Sequence, residues 1–433
     1  MTERFDSLVR MARTPLYANA YALVANQVFS AGLGMLYWVL AARLYSASTY
    51  GASSAVISTL LLISGIAQLG LGAGLNRFLP RAGTGTRRLI LLSYAAVIAT
   101  SVVLSLAFVA LGGALGLKSV LGDGPLLALW AVLAAVAWSI FRLQDAVLVG
   151  LRQAKWVFIE NTIYNLAKIL FLWAGVEFLA KAGIVGSWFL PTPIVIALVT
   201  WLVFGVYTRP SRIDSAPADA QPLTLREVAA TSGGDHVGSL VAEAASRLLP
   251  VIVVAVLGAA TTAYFFTAWL VATTLGLVAG SMTDSFTAEA AGDRANVRRY
   301  SHDILRHMAV VTISAAVVLA IGAPLILSLF GKNYAAQGTT LLRWLCLSSP
   351  LIVFNNWYLS YARLMGRIRQ VVWLQSIGAV LLLGLSYLLL HSIGITGVAF
   401  AWIASEAVTA AWGLYDSRDV FFGPRPAIGG GAA

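Results

Sequence analysis

Five ionisable residues stand where hydrocarbon should be. Lys168, Arg247, Arg343, Glu243 and Glu406 all fall inside long apolar stretches of the chain. A cation held at the centre of a bilayer costs roughly 2.5–3.5 kcal/mol even on the forgiving insertion scale. Each such residue therefore needs water, a countercharge or a ligand. Lys168 is 12 residues into its stretch, roughly 18 Å at the helical rise. Arg247 is 14 residues in, roughly 21 Å, and Glu243 precedes it by four residues on the same helical face. That spacing permits a simple intrahelical ion pair. Lys168 has no acid within a turn, so its partner must come from another helix, from water or from a bound anion. Arg343 is five residues from its end and can snorkel outward. Glu406, about 14 Å deep, has no basic neighbour within a turn. Deep acids of this kind carry protons or sodium ions in transport, or else make structural salt bridges. Glu243, Glu406 and Asp235, which lies beside His236 after Gly233-Gly234, are the candidates for ion coupling.

Uncharged polar groups accompany them. Asn26, Asn165 and Asn355 are the candidates to hydrogen-bond a polar solute, with Asn19, Asn161 and Asn356 on the same stretches. Interhelical hydrogen bonds would explain these residues equally well. The chain shows no phosphate-binding glycine loop before a lysine, no HExxH and no Cys/His metal spacing, so neither a metal nor a cofactor is expected. The single cysteine, Cys346, sits in an apolar stretch and reads as a packing residue.

The elements that must position these groups are twelve apolar stretches: Tyr17–Ala42, Ala52–Asn76, Leu89–Leu115, Pro125–Val149, Trp156–Ala180, Ile184–Tyr207, Gly233–Leu257, Thr262–Ser285, Asp303–Phe330, Gly338–Ala362, Gln370–His391 and Ile395–Tyr415. Each has about the 20 residues that a membrane-spanning helix requires. Over the chain 59% of residues are hydrophobic and 11% charged, and the mean hydropathy is +0.83. The expected fold is an all-α polytopic membrane protein.

Charge orients it. Of 29 Lys and Arg residues, 22 fall on alternate loops of one side, on the adjoining ends of the stretches and on the tails. Only Arg43, Lys118, Lys181 and Lys332 fall on the other side. By the positive-inside rule both termini are cytoplasmic. The net charge of +11 is this bias, with membrane lipids as the partner, and calls for no nucleic acid. Ala18-Asn19-Ala20 precedes the first apolar run instead of following it, so no cleaved signal is expected.

Outer loops run to about a dozen residues at most, too short to hold the catalytic groups of a membrane-embedded glycan polymerase or ligase, so an enzyme is not expected. The linker 208–232, with Arg209-Pro210, Ala216-Pro217 and Gln221-Pro222, falls at the midpoint. Three weak self-matches keep chain order across it: Tyr50 with Tyr264, Gly150-Leu-Arg-Gln with Gly366-Arg-Ile-Arg, and Gly183-Ile-Val-Gly with Gly394-Ile-Thr-Gly. The expected domains are a six-helix half at 1–207, the cytoplasmic linker, a second six-helix half at 233–415 and a tail at 416–433. With six spans each, the halves form a parallel repeat related by a pseudo-two-fold axis along the membrane normal.

Ala42-Arg43-Leu44 with Tyr50-Gly51, Leu69-Gly70-Leu71 with Arg77-Phe78-Leu79-Pro80, and the Gly-x-x-Gly turns at Gly183 and Gly394 resemble bacterial polysaccharide transporters. These are the oligosaccharide flippases of the multidrug/oligosaccharidyl-lipid/polysaccharide (MOP) exporter superfamily. Tyr45-Ser46 departs from the family, which often has a glycine-containing turn there. The superfamily's lipid II flippases usually carry two further C-terminal helices. The resemblance implies a flippase of the bacterial cytoplasmic membrane. It would move a polyprenyl-pyrophosphate-linked oligosaccharide to the outer leaflet by alternating access, with H+ or Na+ as a coupling ion. Arg247, Lys168 and Arg343 would then meet the diphosphate, and the asparagines the sugars. A cation-coupled drug antiporter of the same superfamily is the alternative; the small excess of deep cations over deep acids favours the anionic substrate.

Overall fold

The computed structural model describes residues 15–112, 124–178, 182–209, 225–292 and 296–422. Among them there is no strand. The helices are α1 (Pro15–Leu44), α2 (Ala47–Ala67), α3 (Leu71–Phe78), α4 (Thr86–Gly112), α5 (Pro125–Gly150), α6 (Ala154–Phe178), α7 (Gly183–Phe189) and α8 (Thr192–Leu202). They continue as α9 (Leu225–Leu257), α10 (Ala259–Gly292), α11 (Val297–Ser328), α12 (Lys332–Leu347), α13 (Ser349–Leu364), α14 (Ile368–Ile393), α15 (Thr396–Asp416) and α16 (Arg418–Phe422). Over their described residues all twelve apolar stretches fold as helices, three of them interrupted. Nine of the described helices are long and apolar enough to cross a membrane. The protein is an all-α, multi-pass membrane protein.

Three stretches are broken, each for a local reason. In the second, Leu69 and Gly70 both adopt left-handed backbone (φ 52° and 74°), and the chain turns between α2 and α3. Gln68 holds this turn by donating from Nε2 to the Ser139 carbonyl of α5 at 2.9 Å. The sixth stretch breaks at Leu190-Pro191 and ends in a π-helical turn at Val203–Tyr207. In the tenth, Pro350 sits at the start of α13 and lacks the amide that would continue α12. Ser348 lies at that break, and its hydroxyl accepts the indole N–H of Trp402 at 3.1 Å.

The chain divides into two compact units, Met1–Ala263 and Tyr264–Ala433. In the first, α4, α5, α6 and α8 enclose Ile90, Tyr94, Phe141, Leu143, Val147, Tyr164 and Val199. Helix α9 belongs to this unit and packs along α2. A Cβ at Gly51 of α2 would lie within van der Waals contact of the Ala259 carbonyl and 2.7 Å from the Ala263 amide, so only glycine allows this approach. In the second unit, Phe286, Trp357, Tyr358, Val371 and Leu374 form a core where the C-terminal end of α13 meets the N-terminal end of α14, against α16. Large apolar side chains face outward in both units: Trp173 is 72% exposed and Val380 71%. In water that would be a liability. Against lipid tails it is the expected surface.

Candidate anion site and the internal charges

Arg142 lies eight residues from the C-terminal end of α5, about 12 Å. Glu243 and Arg247 occupy consecutive turns of α9. The three side chains meet. Glu243 Oε1 is 3.5 Å from Arg142 Nη1 and 3.6 Å from Arg247 Nη2. Gly65 of α2 makes the space: a Cβ there would stand 3.5 Å from Glu243 Oε2 and 3.6 Å from Arg142 Nη1. The cluster holds two guanidinium groups and one carboxylate, a net charge of +1. Its side chains are 31–38% exposed although all three lie along membrane-spanning helices. Charges at that depth that keep a third of their surface open must face water or a ligand. Such a pair of guanidiniums, planar and only half neutralised, suits bidentate contact with phosphoryl oxygens.

The sequence assigns Lys168 to the same diphosphate as Arg247. The charged neighbours of Arg247 are instead Glu243 and Arg142. Lys168 of α6 is 2% exposed and enclosed by aromatic rings, its Nζ 4.1 Å from the centroid of Trp188, 4.6 Å from Tyr37 and 5.2 Å from Tyr164. Both tyrosines are fixed: Tyr37 donates to the Ile184 carbonyl at 2.9 Å and Tyr164 to the Trp188 carbonyl at 2.8 Å. The partner that Lys168 needs from another helix is this aromatic face, a cation–π arrangement that strengthens when desolvated.

Other predicted residues fall elsewhere. Asn165 is buried in α6 and donates back to the Asn161 carbonyl at 2.8 Å; Asn26 accepts from Ser30 at 3.3 Å. Asn355 and Glu406 come together in the second unit, where Asn355 Nδ2 donates to Glu406 Oε2 at 2.6 Å and to the Glu406 carbonyl at 2.9 Å. Arg343, at the surface of that unit, donates from Nε to the Ala320 carbonyl of α11 at 3.1 Å. The side chains of Asn19, Asp235 and His236, and residues 210–224 of the linker, lie outside what the structure describes. Sequence reasoning missed Arg142 as a member of the cluster, and it missed Glu160 altogether. For neither was there a local signal, because their partners come from other helices.

No protein-family profile matches the sequence, and no curated protein does. Solved structures do match. One is an inward-facing multidrug resistance MATE family transporter of the MOP superfamily, at 17% identity and a TM-score of 0.71, covering 90% of this chain and 94% of that one. Another is the lipid II flippase MurJ in an inward closed conformation, at 14% identity and 0.66, covering 92% and 87%. A third, at 16% identity and 0.61 with 95% and 98% covered, is a MOP superfamily transporter from Pyrococcus furiosus, described by the reverse polarity of its binding pocket and a different function. Identities this low carry the fold alone. The chain has the fold of the MOP superfamily transporters, whose members have about twelve membrane-spanning helices.

Proposed function

We propose that this protein is a flippase that carries a polyprenyl-pyrophosphate-linked oligosaccharide from the inner to the outer leaflet by alternating access. One observation supports it above the others: Arg142 and Arg247 share a single glutamate, leaving a half-open cluster of net positive charge along membrane-spanning helices. A diphosphate cannot cross hydrocarbon bare, and such a cluster supplies the countercharge it needs. Bound diphosphate takes the place of Glu243, and that exchange of partners gives the differential interaction without which no ligand shifts a conformational equilibrium. The polyprenyl tail remains in the bilayer. The working units are two six-helix halves, 1–207 and 233–415, joined through 208–232, the last eight residues of which open helix α9. The protein lies in the bacterial cytoplasmic membrane with both termini inside and with H+ or Na+ as the coupling ion. Arg343 remains a candidate for the diphosphate and the asparagines for the glycan.

Multidrug transporters share this fold, and the Pyrococcus protein is described as differing in function through its pocket polarity. The sign of the charge at the site is therefore the feature to test. In proteoliposomes loaded with a short-chain polyprenyl-pyrophosphate glycan, the protein should move the glycan to the opposite leaflet, and inorganic pyrophosphate should compete. Uptake of a cationic dye with no glycan movement would assign the protein to drug antiport.

A further inference from the structure

Near the C-terminal end of α5 and the N-terminal end of α6 two carboxyl groups approach each other inside the first unit. Asp145 is about 8 Å from the end of α5, and Glu160 about 9 Å from the start of α6. The two carboxyl groups lie within electrostatic range of each other, and Asn161, next in the chain to Glu160, reaches across to Asp145. Glu160 is 1% exposed, and neither of its oxygens has a donor. Asp145 differs: Asn161 Nδ2 donates to its Oδ1 at 2.9 Å, and Arg142 stands close by, three residues earlier on the same helix.

Two further polar atoms beside this pair lack partners. Gln144 is fully buried; its Nε2 donates to the Ile196 carbonyl at 3.2 Å and to Thr200 at 3.0 Å, while its Oε1 accepts nothing. Buried Tyr94 of α4 lies beside Gln144 and within electrostatic reach of Glu160, and its hydroxyl is also unpartnered. The ionisable groups facing the pair are thus Arg142 on α5 and Tyr94 on α4, with Glu243 of α9 one contact further through Arg142. Helix α8, which packs on α5 and α6, brings no ionisable side chain.

Two ionised carboxylates cannot remain this close in such a place, because like charges out of water repel strongly. A cation must lie between them. Asp145 has a donor and a guanidinium to favour its charge, and Glu160 has neither, so the proton belongs on Glu160. Losing it leaves two negative charges beside Arg142, whose guanidinium is otherwise 3.5 Å from Glu243. We propose that the Asp145–Glu160 pair is a proton-binding site, and that its occupancy decides whether Arg142 serves the anion cluster or the acid pair. With the proton on, Arg142 remains with Glu243 and Arg247. With the proton off, Arg142 is drawn to Asp145 and the cluster loses one of its two cations. The second half of this inference rests on the anion-site reading; the first does not.

The full-length protein in lipid nanodiscs tests both halves. Infrared spectra at neutral pH should show the carbonyl band of a protonated carboxyl in the wild type and its loss in Glu160→Gln; a wild type without the band overturns the proposal. Inorganic pyrophosphate, titrated by calorimetry in buffers of different ionisation enthalpy, should bind with proton uptake. Its affinity should fall about tenfold between about pH 6 and pH 8.5, a coupling of about 1.4 kcal/mol. In Glu160→Gln the uptake and the pH dependence should fall to the part that the ionisation of pyrophosphate itself supplies. If both stay at the wild-type level in that variant, the pair is not the coupling site. Affinity that follows sodium at constant pH, and not protons, would overturn it in favour of a metal cation. Failure of pyrophosphate to bind at any pH would remove the anion-site reading, and the infrared band would still decide the pair.

Discussion

Removing Arg247 separates a ligand site from a structural ion pair, because the two roles predict different magnitudes. The Arg247–Glu243 contact is 3.6 Å long between side chains 38% and 31% exposed. Pairs that open to water are worth about 0.2–1 kcal/mol after screening and side-chain entropy. Arg142 remains 3.5 Å from Glu243 in the variant, so the carboxylate is not left alone. Arg247→Ala should therefore change the unfolding free energy by about 1 kcal/mol or less. A charge-assisted hydrogen bond to a phosphoryl oxygen is worth about 1.5–3 kcal/mol, which is about 10- to 100-fold in affinity. The variant should melt close to the wild type, bind inorganic pyrophosphate about 10- to 100-fold more weakly and flip no glycan.

Adding Glu243→Ala to Arg247→Ala should not restore binding, because the lost cation was a ligand. Glu243→Gln alone should raise the affinity, since it removes the internal competitor of the diphosphate. The opposite pattern refutes the reasoning: a large drop in melting temperature for Arg247→Ala, unchanged pyrophosphate affinity, and recovery of both expression and transport in the double variant. In that case the pair is structural, and what the single variant suffers is an uncompensated charge.

Lys168→Met should leave pyrophosphate binding intact and the melting temperature equal or higher, since an apolar side chain of similar volume often replaces a buried charge at no cost; a loss of binding would make Lys168 a ligand. Gly51→Ala meets the backbone at Ala259 and Ala263 and should destabilise by about 3 kcal/mol or more, read as lost thermal stability or failed insertion. Gly183→Ala meets the phenol of Tyr45, its hydroxyl and two adjoining ring carbons, a side chain and not backbone; the ring can swing away from the Leu172 carbonyl it bonds at 3.0 Å, so the cost should be about 1 kcal/mol and below that of Gly51→Ala; equal losses in the two glycine variants would contradict the contrast. Asn355→Leu removes the donor to Glu406 and should cost about 1.5–3 kcal/mol, visible in the thermal melt of the purified protein.

What was legible in the sequence and what was not follow from one physical difference. A hydrocarbon slab imposes its thickness on every helix that crosses it, so the twelve spans could be read from apolar length. Proline imposes its missing amide just as locally, and Pro191 and Pro350 stand at two of the three breaks. The third break depends on Leu69, a residue with no preference for the left-handed backbone it adopts; a turn there is a tertiary outcome, held by Gln68 reaching across to α5. Tyr45 extends the point. At the turn where the resembled family often carries glycine, its ring enters the space left by Gly175 and Gly183 and bonds the end of α6, a compensation that no single segment displays. The charges follow the same division. Glu243 and Arg247 are four apart on one helix, and their pairing could be read; that Arg142 completes them is a matter of how α5, α2 and α9 pack around Gly65. Glu160 is the extreme case. Counted along the chain it is an acid two turns from a helix end, where water is usual, but the packing of α4, α5 and α6 removes that water and sets it against a second acid. Span depth measures distance from the interface along one helix, whereas the cost of a charge is set by what the neighbouring helices bring to it. A group such as Glu160, cheap by the first measure and expensive by the second, is where a bundle can store a proton.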